Sequence, residues 1–332
     1  MKSPFTGKEM ILVREKRALT FRKEQIEVTY HAYKCEDTQE QFTTTALDEL
    51  NMIQLYNQYR EKHTIPFPEQ IQQIREKYKV SAVKMAEILG FGTNSYRLYE
   101  DGEIPSLSNA RLIQSITETP NFKQMVQLCD TLDEKFRVKT LKHLEKLEEE
   151  EKEHFLDTII VNHLVGNLKP GDKTGYKVPN LDKLTAMVLY FSEQMKPFKT
   201  KLNKLLFYSD FQHYKTTGFS ISGISYRAIE MGPVPTKFQS IFEQIQQQGD
   251  IEIVCQVFEN DKVGEQFVNI STFNKTLFTA EELETLEKVK NRFEGVKTKE
   301  IIDLSHEEKA WIENQEGKQI ISYDFAFDLK NI

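Results

Sequence analysis

Short polar side chains and one guanidinium follow each other closely in residues 80–105, VSAVKMAEILGFGTNSYRLYEDGEIP. Hydroxyl and carboxamide groups read base edges in the DNA major groove, and a guanidinium holds a base edge or a phosphate. Together with two residues of the preceding predicted helix, they make up the candidate DNA contacts Ser81, Lys84, Thr93, Asn94, Ser95 and Arg97. The first chemistry that the sequence indicates is therefore nucleic-acid binding.

Two predicted helices carry these residues. Ser81 can cap the first helix, Gly90 lets the chain turn, and Thr93 can cap the second helix. Apolar residues at helical spacing predict the packed faces, which are Val83, Ala86, Leu89, Tyr96 and Tyr99. This pattern predicts a helix-turn-helix. An ordinary helical hairpin with polar outer residues is the alternative.

The residues after these two helices resemble a DNA-binding domain of the Xre/Cro type. Glu100-Asp101-Gly102, followed by Pro105, matches the Y-E-x-G-x-x-x-P passage that leads into the next helix in that family. The resemblance covers residues 68–119. It implies a five-helix DNA-binding domain, for which we expect the limits 64–132.

Antitoxins of the MqsA type carry such a domain and read bases with an Asn and, four residues later, an Arg. Asn94 stands at the first position here, but Leu98 stands at the second and Arg97 lies one residue earlier. A shift of one residue rotates a side chain by about 100° around a helix. We therefore expect Asn94 to read a base and Arg97 to hold a phosphate.

Residues 1–63 are predicted to form a small β unit, since apolar and polar residues alternate from Ile26 to His31, and a bridging helix that Thr44 or Thr45 can cap. The β unit resembles the zinc ribbon of MqsA-type antitoxins with ligands removed. Ser3 and Thr6 stand at the first ligand pair, and Cys35 and Thr38 stand at the second. Zinc requires four soft or imidazole ligands, so no metal is expected here. The residues expected to hold the hairpin are aromatic: Phe21, Tyr30, Tyr33 and Phe42.

The formal charge of −7 is unfavourable for DNA binding, because phosphate neutralisation requires Lys and Arg. Part of the acidity lies in residues 144–153, LEKLEEEEKE, within a charged helix and linker expected over 133–176. Residues 67–119 are close to neutral. We therefore expect modest affinity from one copy and a homodimer that binds two half-sites. Four residues of the charged helix could pair with their twins or rest on the next domain: Val138, Leu141, Leu144 and Leu147.

The length of 332 residues predicts two or three domains, and 39% hydrophobic residues suffice for packed cores. The N-terminal MKSPFTGKEM lacks an apolar signal region, so a cytoplasmic location is expected. Cys35, Cys129 and Cys255 are odd in number and far apart, which argues against a disulfide framework. Residues 166–174, GNLKPGDKT, lack the spacing of a phosphate loop and are interpreted as a linker. With no common catalytic motif, neither an enzyme nor a cofactor is expected.

The last region, residues 177–332, is predicted to form a helical domain with a short sheet. Residues 201–235 and 298–311, the latter reading TKEIIDLSHEEKAW, resemble the Panacea, or SocA-like, domain. The resemblance implies an antitoxin domain that binds a protein toxin. The candidate toxin contacts all lie in the first of these segments: Tyr208, Tyr214, Arg227, Met231 and Pro233.

Two local features of this region carry further predictions. Residues 232–235, GPVP, are predicted to form a stiff turn between a strand and a helix that Thr236 caps. His306 and Trp311 are predicted to be a packing pair near the end of the domain. A catalytic alternative uses Asp303, His306 and Glu307, although a His beside carboxylates is commonly structural.

The sequence thus predicts a mainly α fold with small β elements, of the α+β class. Its parts are an N-terminal β hairpin unit, a five-helix domain of the Xre/Cro type and a helical Panacea-like domain with a short sheet. The resemblances at both ends imply an antitoxin that neutralises a toxin and represses its own operon. The alternatives are a transcriptional regulator with a ligand-sensing C-terminal domain and an adaptor that delivers a partner to a protease.

Overall fold

A computed structural model of the protein describes residues 1–166, 168–257 and 263–332. The fold is mainly helical with small antiparallel sheets, which confirms the predicted α+β class. The chain forms two compact units: a split unit of Met1–Leu55 with Asn162–Ile332, and an inserted unit of Tyr56–Val161. The β hairpin thus groups with the C-terminal residues. The limits of the four regions that the sequence predicts, 1–63, 64–132, 133–176 and 177–332, stay a prediction.

The split unit begins with a long antiparallel hairpin. Its strands are β1 (Ile11–Phe21), β2 (Glu24–Lys34) and the short β3 (Gln41–Phe42). Arg22 and Lys23, with φ of 46° and 69°, form the two-residue turn that suits the twist of the strands. The buried residues of β2 are Ile26, Val28, His31 and Ala32. The four aromatics expected to hold the hairpin are partly buried, and two of them make ring contacts there: Phe42 with Phe5 and Tyr30 with Arg17.

The edge of β2 that β1 leaves free pairs with β3 at Tyr33 and Lys34, and side chains of the helix α1 (Thr45–His63) bond to it at Thr29 and His31. Asn51 accepts a hydrogen bond from His31 N at 2.8 Å and donates to His31 O at 3.0 Å. Gln54, one turn later, accepts from Thr29 N at 3.1 Å and donates to Thr29 O at 2.9 Å. Each carboxamide thus makes the pair of hydrogen bonds that a neighbouring strand would make. We call these two side chains the carboxamide clamp. Thr44 caps α1, as the sequence predicted.

The inserted unit contains five helices of six to ten residues and one of 20 residues, packed around one core. These are α2 (Pro68–Lys77), α3 (Ala82–Ile88), α4 (Ser95–Glu100), α5 (Leu107–Ser115), α6 (Thr119–Leu128) and α7 (Glu134–Glu153), with α8 (Phe155–Leu164) leading out. Tyr78 stacks on Phe122 at 4.0 Å between ring centroids. Leu144 of α7 is fully buried in this core, and Leu141 and Leu147 pack against it. The apolar stripe of α7 therefore rests on the inserted unit, apart from Val138, which is exposed.

The C-terminal residues surround one buried helix. The elements are α9 (Leu181–Met195), α10 (Lys199–Thr217), β4 (Tyr226–Ile229), β5 (Gly232–Pro235), α11 (Phe238–Gln247), β6 (Ile251–Val257), β7 (Val263–Asn269), α12 (Ala280–Phe293), α13 (Thr298–His306), α14 (Lys309–Ile312) and 3-10 helices at Lys275–Leu277 and Tyr323–Asp328. Every residue of α10 from Lys201 to Tyr214 is buried, so this helix forms the centre of the unit. In the described ranges, no helix combines the length and the apolar character needed to cross a membrane.

The GPVP segment is a strand, β5, and not the predicted turn. It pairs antiparallel with β4, with Ala228 opposite Pro233. The predicted cap is also wrong, because α11 begins at Phe238 and Lys237 stands at its N-cap. Thr236 instead bonds Ser225 through both its backbone N (2.9 Å) and its hydroxyl (3.1 Å). The conformation of Thr236 is therefore set by its pairing with Ser225 beside the β4–β5 hairpin and not by the start of α11.

Candidate nucleic-acid interface and partner surface

The helices α3 and α4 hold the predicted DNA contacts. Ser81 caps α3 by accepting a hydrogen bond from Lys84 N at 3.2 Å, as predicted. The chain leaves α3 through Gly90, whose φ of +68° favours glycine. The buried face of α3 contains Met85 and Ala86. Val83 was expected on that face but is 51% exposed, so its placement is corrected.

The start of α4 differs from the prediction by one residue. Asn94 and not Thr93 stands at the N-cap, and its carboxamide makes no capping hydrogen bond. Asn94, Thr93 and Arg97 are exposed, as is Ser81, whereas Lys84 and Ser95 are half-buried. Because the Asn94 side chain is not used to cap its own helix, it is free to bond a ligand in front of α4.

Two tyrosines fix α4 on the core, as predicted. Tyr96 is fully buried and donates a hydrogen bond to Ile71 O at 2.8 Å. Tyr99 accepts a hydrogen bond from Asn109 Nδ2 at 2.9 Å. Both anchors lie on the face of α4 opposite Asn94 and Arg97, so the polar face is presented to solvent on a rigid support.

Carboxylates weaken the positive charge of this surface. Arg97 Nε lies 3.8 Å from Asp101 Oδ2, and both side chains are mostly exposed. Lys84 Nζ lies 2.8 Å from Glu87 Oε2, and Lys84 lowers the pKa of that carboxyl. The exposed Arg97–Asp101 pair is weak, so a phosphate can replace this carboxylate at little cost. Modest affinity for DNA from a single copy stays a prediction.

Three of the five candidate toxin contacts are core residues. Tyr208, Tyr214 and Pro233 are buried, which leaves no surface for a partner. Tyr208 donates to Glu308 Oε1 at 3.3 Å and Tyr214 donates to Asp324 Oδ1 at 3.1 Å. We therefore correct these three assignments. Arg227 and Met231 are exposed, as a partner contact requires.

Of the two exposed candidates, Met231 lies in the turn between β4 and β5, and Arg227 lies on β4 opposite Val234. His306 stacks on Trp311 with 3.9 Å between ring centroids, which confirms the predicted packing pair. Trp311 Nε1 donates to Ile229 O at 2.8 Å and so ties this pair to the end of β4. Ile312, the next residue, is 47% exposed, as is Met231. We call Arg227, Met231 and Ile312 the hairpin-turn surface.

A buried aspartate organises the loop before β4. Asp210 Oδ1 accepts from the backbone N of Ile221 and of Ser222, both at 2.8 Å. Its Oδ2 accepts from Ser222 Oγ at 2.5 Å and from Tyr226 Oη at 2.7 Å. Burial raises the pKa of Asp210, against the lowering effect of these hydrogen bonds. The network attaches the loop and β4 to α10.

A buried lysine lies beneath β5. Lys204 is fully buried, its Nζ has no hydrogen-bond partner among the described residues, and burial lowers its pKa to about 7. A side chain on Gly232 would place its Cβ 2.6 Å from Lys204 Cε, so only glycine fits there. Sequence reasoning missed Lys204, since nothing in the local pattern separates it from Lys201, whose Nζ donates to Val296 O at 2.6 Å.

The four ribbon positions come together at the base of the N-terminal hairpin. Hydrogen bonds from Ser3 and then from Thr38 lower the pKa of Cys35 to about 6. Thr6 Oγ1 lies 3.7 Å from Cys35 Sγ, and Ser3 Oγ accepts from the backbone N of Phe5 and of Thr6 at 3.3 Å. Within the described ranges, no three His, Cys, Asp or Glu side chains are grouped so as to hold a metal ion.

Comparison with known proteins supports the C-terminal resemblance. Residues 202–312 match the family described as antitoxin SocA-like, Panacea domain, over about a third of the chain. The matched residues run from α10 to the end of α14 and include the hairpin-turn surface. No curated protein matches the chain. Residues 202–312 are therefore similar to a SocA-like antitoxin domain, which supports an antitoxin-type role, and the N-terminal resemblances stay predictions.

Proposed function

We propose that this protein is an antitoxin that binds and neutralises a protein toxin through its C-terminal domain. We further propose that its inserted unit binds operator DNA, within the limits 64–132, and represses its own operon. The observation that carries the proposal is the match of residues 202–312 to an antitoxin domain. The mechanism is binding and not catalysis.

The hairpin-turn surface is our proposed toxin contact. It combines exposed apolar side chains, Met231 and Ile312, with the guanidinium of Arg227. Aromatic residues and Arg at the centre of an apolar patch contribute most to binding energy in many interfaces. The hydrogen bond from Trp311 to Ile229 O fixes the β4–β5 turn before binding, so little entropy is lost when a partner docks.

Co-expression with the protein encoded beside it tests this function. The neighbouring protein should be lethal alone and harmless together with the full chain. Met231→Glu should abolish the rescue, because a carboxylate at an apolar contact must be desolvated, whereas Leu277→Glu, at an exposed site outside the surface, should not. Rescue by a folded Met231→Glu variant would exclude this surface. A shortened half-life of the partner would favour the adaptor function instead.

The inserted unit supports operator binding through the exposed side of α4. Asn94 is exposed and caps no amide, which suits direct contact with a base edge. Arg97 is held only by a weak exposed pair with Asp101, which suits a phosphate contact.

Two substitutions separate base contact from phosphate contact. Asn94→Ala should reduce the preference for the operator over scrambled DNA by roughly 1–3 kcal/mol, because a base contact is lost. Arg97→Ala should weaken binding to both DNAs alike and reduce the salt dependence by about one contact. Arg111→Ala, an exposed Arg on α5, serves as the control. Binding titrations at two salt concentrations measure both effects. If neither variant changed the affinity for DNA, α3 and α4 would be interpreted as an ordinary helical hairpin.

A further inference from the structure

A cavity of about 420 Å³ opens between the N-terminal hairpin and the 3-10 helix at Tyr323–Asp328, both of which belong to the split unit. Ligand pockets in proteins span about 300–1,000 Å³, so this cavity suits a small molecule and not a folded partner. Its lining includes charged and aromatic side chains: Arg14, Lys16, Asp324, Phe325, Phe327 and Asp328.

Two cations line the hairpin side of the cavity. Arg14 and Lys16 are two residues apart on β1, so their side chains share one face of the hairpin. Both are exposed, and neither side chain makes a hydrogen bond or ion pair with any residue that the structure describes. Glu15, which also lines this side, accepts a hydrogen bond from Arg17 Nε at 3.1 Å, and Arg17 lowers the pKa of its carboxyl. The hairpin side can therefore bind a carboxylate.

Two carboxylates line the side that the 3-10 helix provides. Asp324 Oδ1 accepts a hydrogen bond from Tyr214 Oη at 3.1 Å, which fixes its position. Asp328 Oδ1 lies 3.1 Å from Lys309 Nζ in a pair that is about half exposed. Neither carboxylate forms an ion pair with a cation of β1, although all four groups line the same cavity. The cavity thus separates a cationic side from an anionic side.

The lining also offers an apolar surface and, beside it, an unpaired nitrogen. Phe325 and Phe327 supply the apolar surface. The ring of His31, which lies opposite Arg14 in the hairpin, packs edge-on against Phe327 with 4.7 Å between ring centroids. His31 is 3% exposed, and its Nδ1 has no hydrogen-bond partner among the described residues. Buried polar atoms normally have a partner, so this nitrogen favours a ligand with polar groups.

We propose that the cavity binds a small zwitterion with an apolar side chain, either a free amino acid or a dipeptide. Its carboxylate bonds the cations of β1, its ammonium bonds the carboxylates of the 3-10 helix, and its side chain packs on the phenylalanines. A ligand with a single charge matches one side of the cavity and is repelled by the other. This inference goes beyond the proposed antitoxin function and does not depend on it.

Calorimetric titration of the full chain with leucyl-phenylalanine tests the inference. A ligand of this size should bind with a dissociation constant on the order of 100 µM. The N-acetylated peptide lacks the ammonium and the peptide amide lacks the carboxylate, so each should bind at least about tenfold more weakly. Equally tight binding of free phenylalanine would identify an amino-acid site and would support the inference. No binding at millimolar concentrations, or equal binding of the free and the blocked peptides, would overturn it.

Two pairs of substitutions assign the ends of the ligand to the sides of the cavity. Arg14→Gln with Lys16→Gln should weaken binding of the free dipeptide about tenfold and remove its advantage over the amide, while its advantage over the acetylated peptide remains. Asp324→Asn with Asp328→Asn should do the reverse. The carboxamide of Asn can still accept the hydrogen bond from Tyr214, so this variant should keep the fold.

The matched control is Lys297→Gln with Lys299→Gln, which removes two exposed cations of the split unit outside the cavity lining. The control should bind the dipeptide like the original protein, and all variants should keep its circular dichroism spectrum. Unchanged discrimination between free and blocked peptides in both cavity variants would contradict the inference. Because neither DNA nor toxin is present, such a result leaves the antitoxin function standing, and failure of neutralisation leaves the zwitterion site standing.

Discussion

A variant with Ser3, Thr6 and Thr38 replaced by Cys should bind one zinc ion per chain. With Cys35, the three new thiols supply four sulfur ligands, which structural zinc prefers in a tetrahedron. The geometry already suits the metal: Thr6 Oγ1 lies 3.7 Å from Cys35 Sγ, and sulfurs at about 2.3 Å from zinc lie about 3.8 Å from each other. Four-thiolate binding contributes about 10–16 kcal/mol in zinc-finger peptides, which makes this the largest effect we expect.

Elemental analysis after exhaustive dialysis measures this gain of zinc. The original protein should retain none, because three hydroxyls and one thiol are a poor set of zinc ligands. The matched control adds Cys35→Ser to the triple variant and should lose the metal on dialysis, since one ligand is removed. Should the triple variant also lose its zinc, the four positions would not have the ribbon geometry.

Asp210→Ala should lower the free energy of unfolding by about 4 kcal/mol or more, because four buried donors lose their acceptor. The loop at Ile221 and Ser222 and the hydroxyl of Tyr226 would all need new partners away from water. Toxin binding should weaken as well, since the same network holds β4 beside the hairpin-turn surface.

Chemical denaturation of the original protein and of Asp210→Ala, monitored by circular dichroism, measures this loss of unfolding free energy. Asp303→Ala, an exposed carboxylate on α13, should change the unfolding free energy by about 0.5 kcal/mol at most. If Asp210→Ala lowered the free energy of unfolding no more than Asp303→Ala does, water would have to bond the four donors that Asp210 leaves.

Predictions from the sequence succeeded where one or two neighbouring residues decide the structure. Ser81 and Thr44 cap their helices because a hydroxyl and a nearby backbone N suffice. The predictions failed where the burial of a side chain depends on residues far away in the sequence. Tyr208 and Tyr214 lie on a helix that is buried on every side, and no periodicity marks such a helix as central.

Long-range pairing also escaped the sequence. Pro233 and Pro235 indicated a turn, yet both lie on the strand β5, which pairs with β4. Likewise, the grouping of the N-terminal hairpin with the C-terminal residues depends on contacts far apart in the chain, which no local pattern encodes. For the proposed DNA surface, the exposure of Asn94 and Arg97 agrees with the expectation, whereas the N-cap at Asn94 was not predicted, because Thr93 and Asn94 are both good caps.

The carboxamide clamp of Asn51 and Gln54 has a consequence for aggregation. A long hairpin with a free edge invites strand addition by another unfolded or partly folded chain, the first step towards amyloid-like stacking. Here the edge is sealed at Thr29 and His31 by neutral side chains, whose hydrogen bonds do not depend on pH and are little affected by salt. Asn51 and Gln54 can make these hydrogen bonds only while the first half of α1 stays helical. Fraying of that part of α1 would therefore open the edge of β2 at Thr29 and His31 to strand addition.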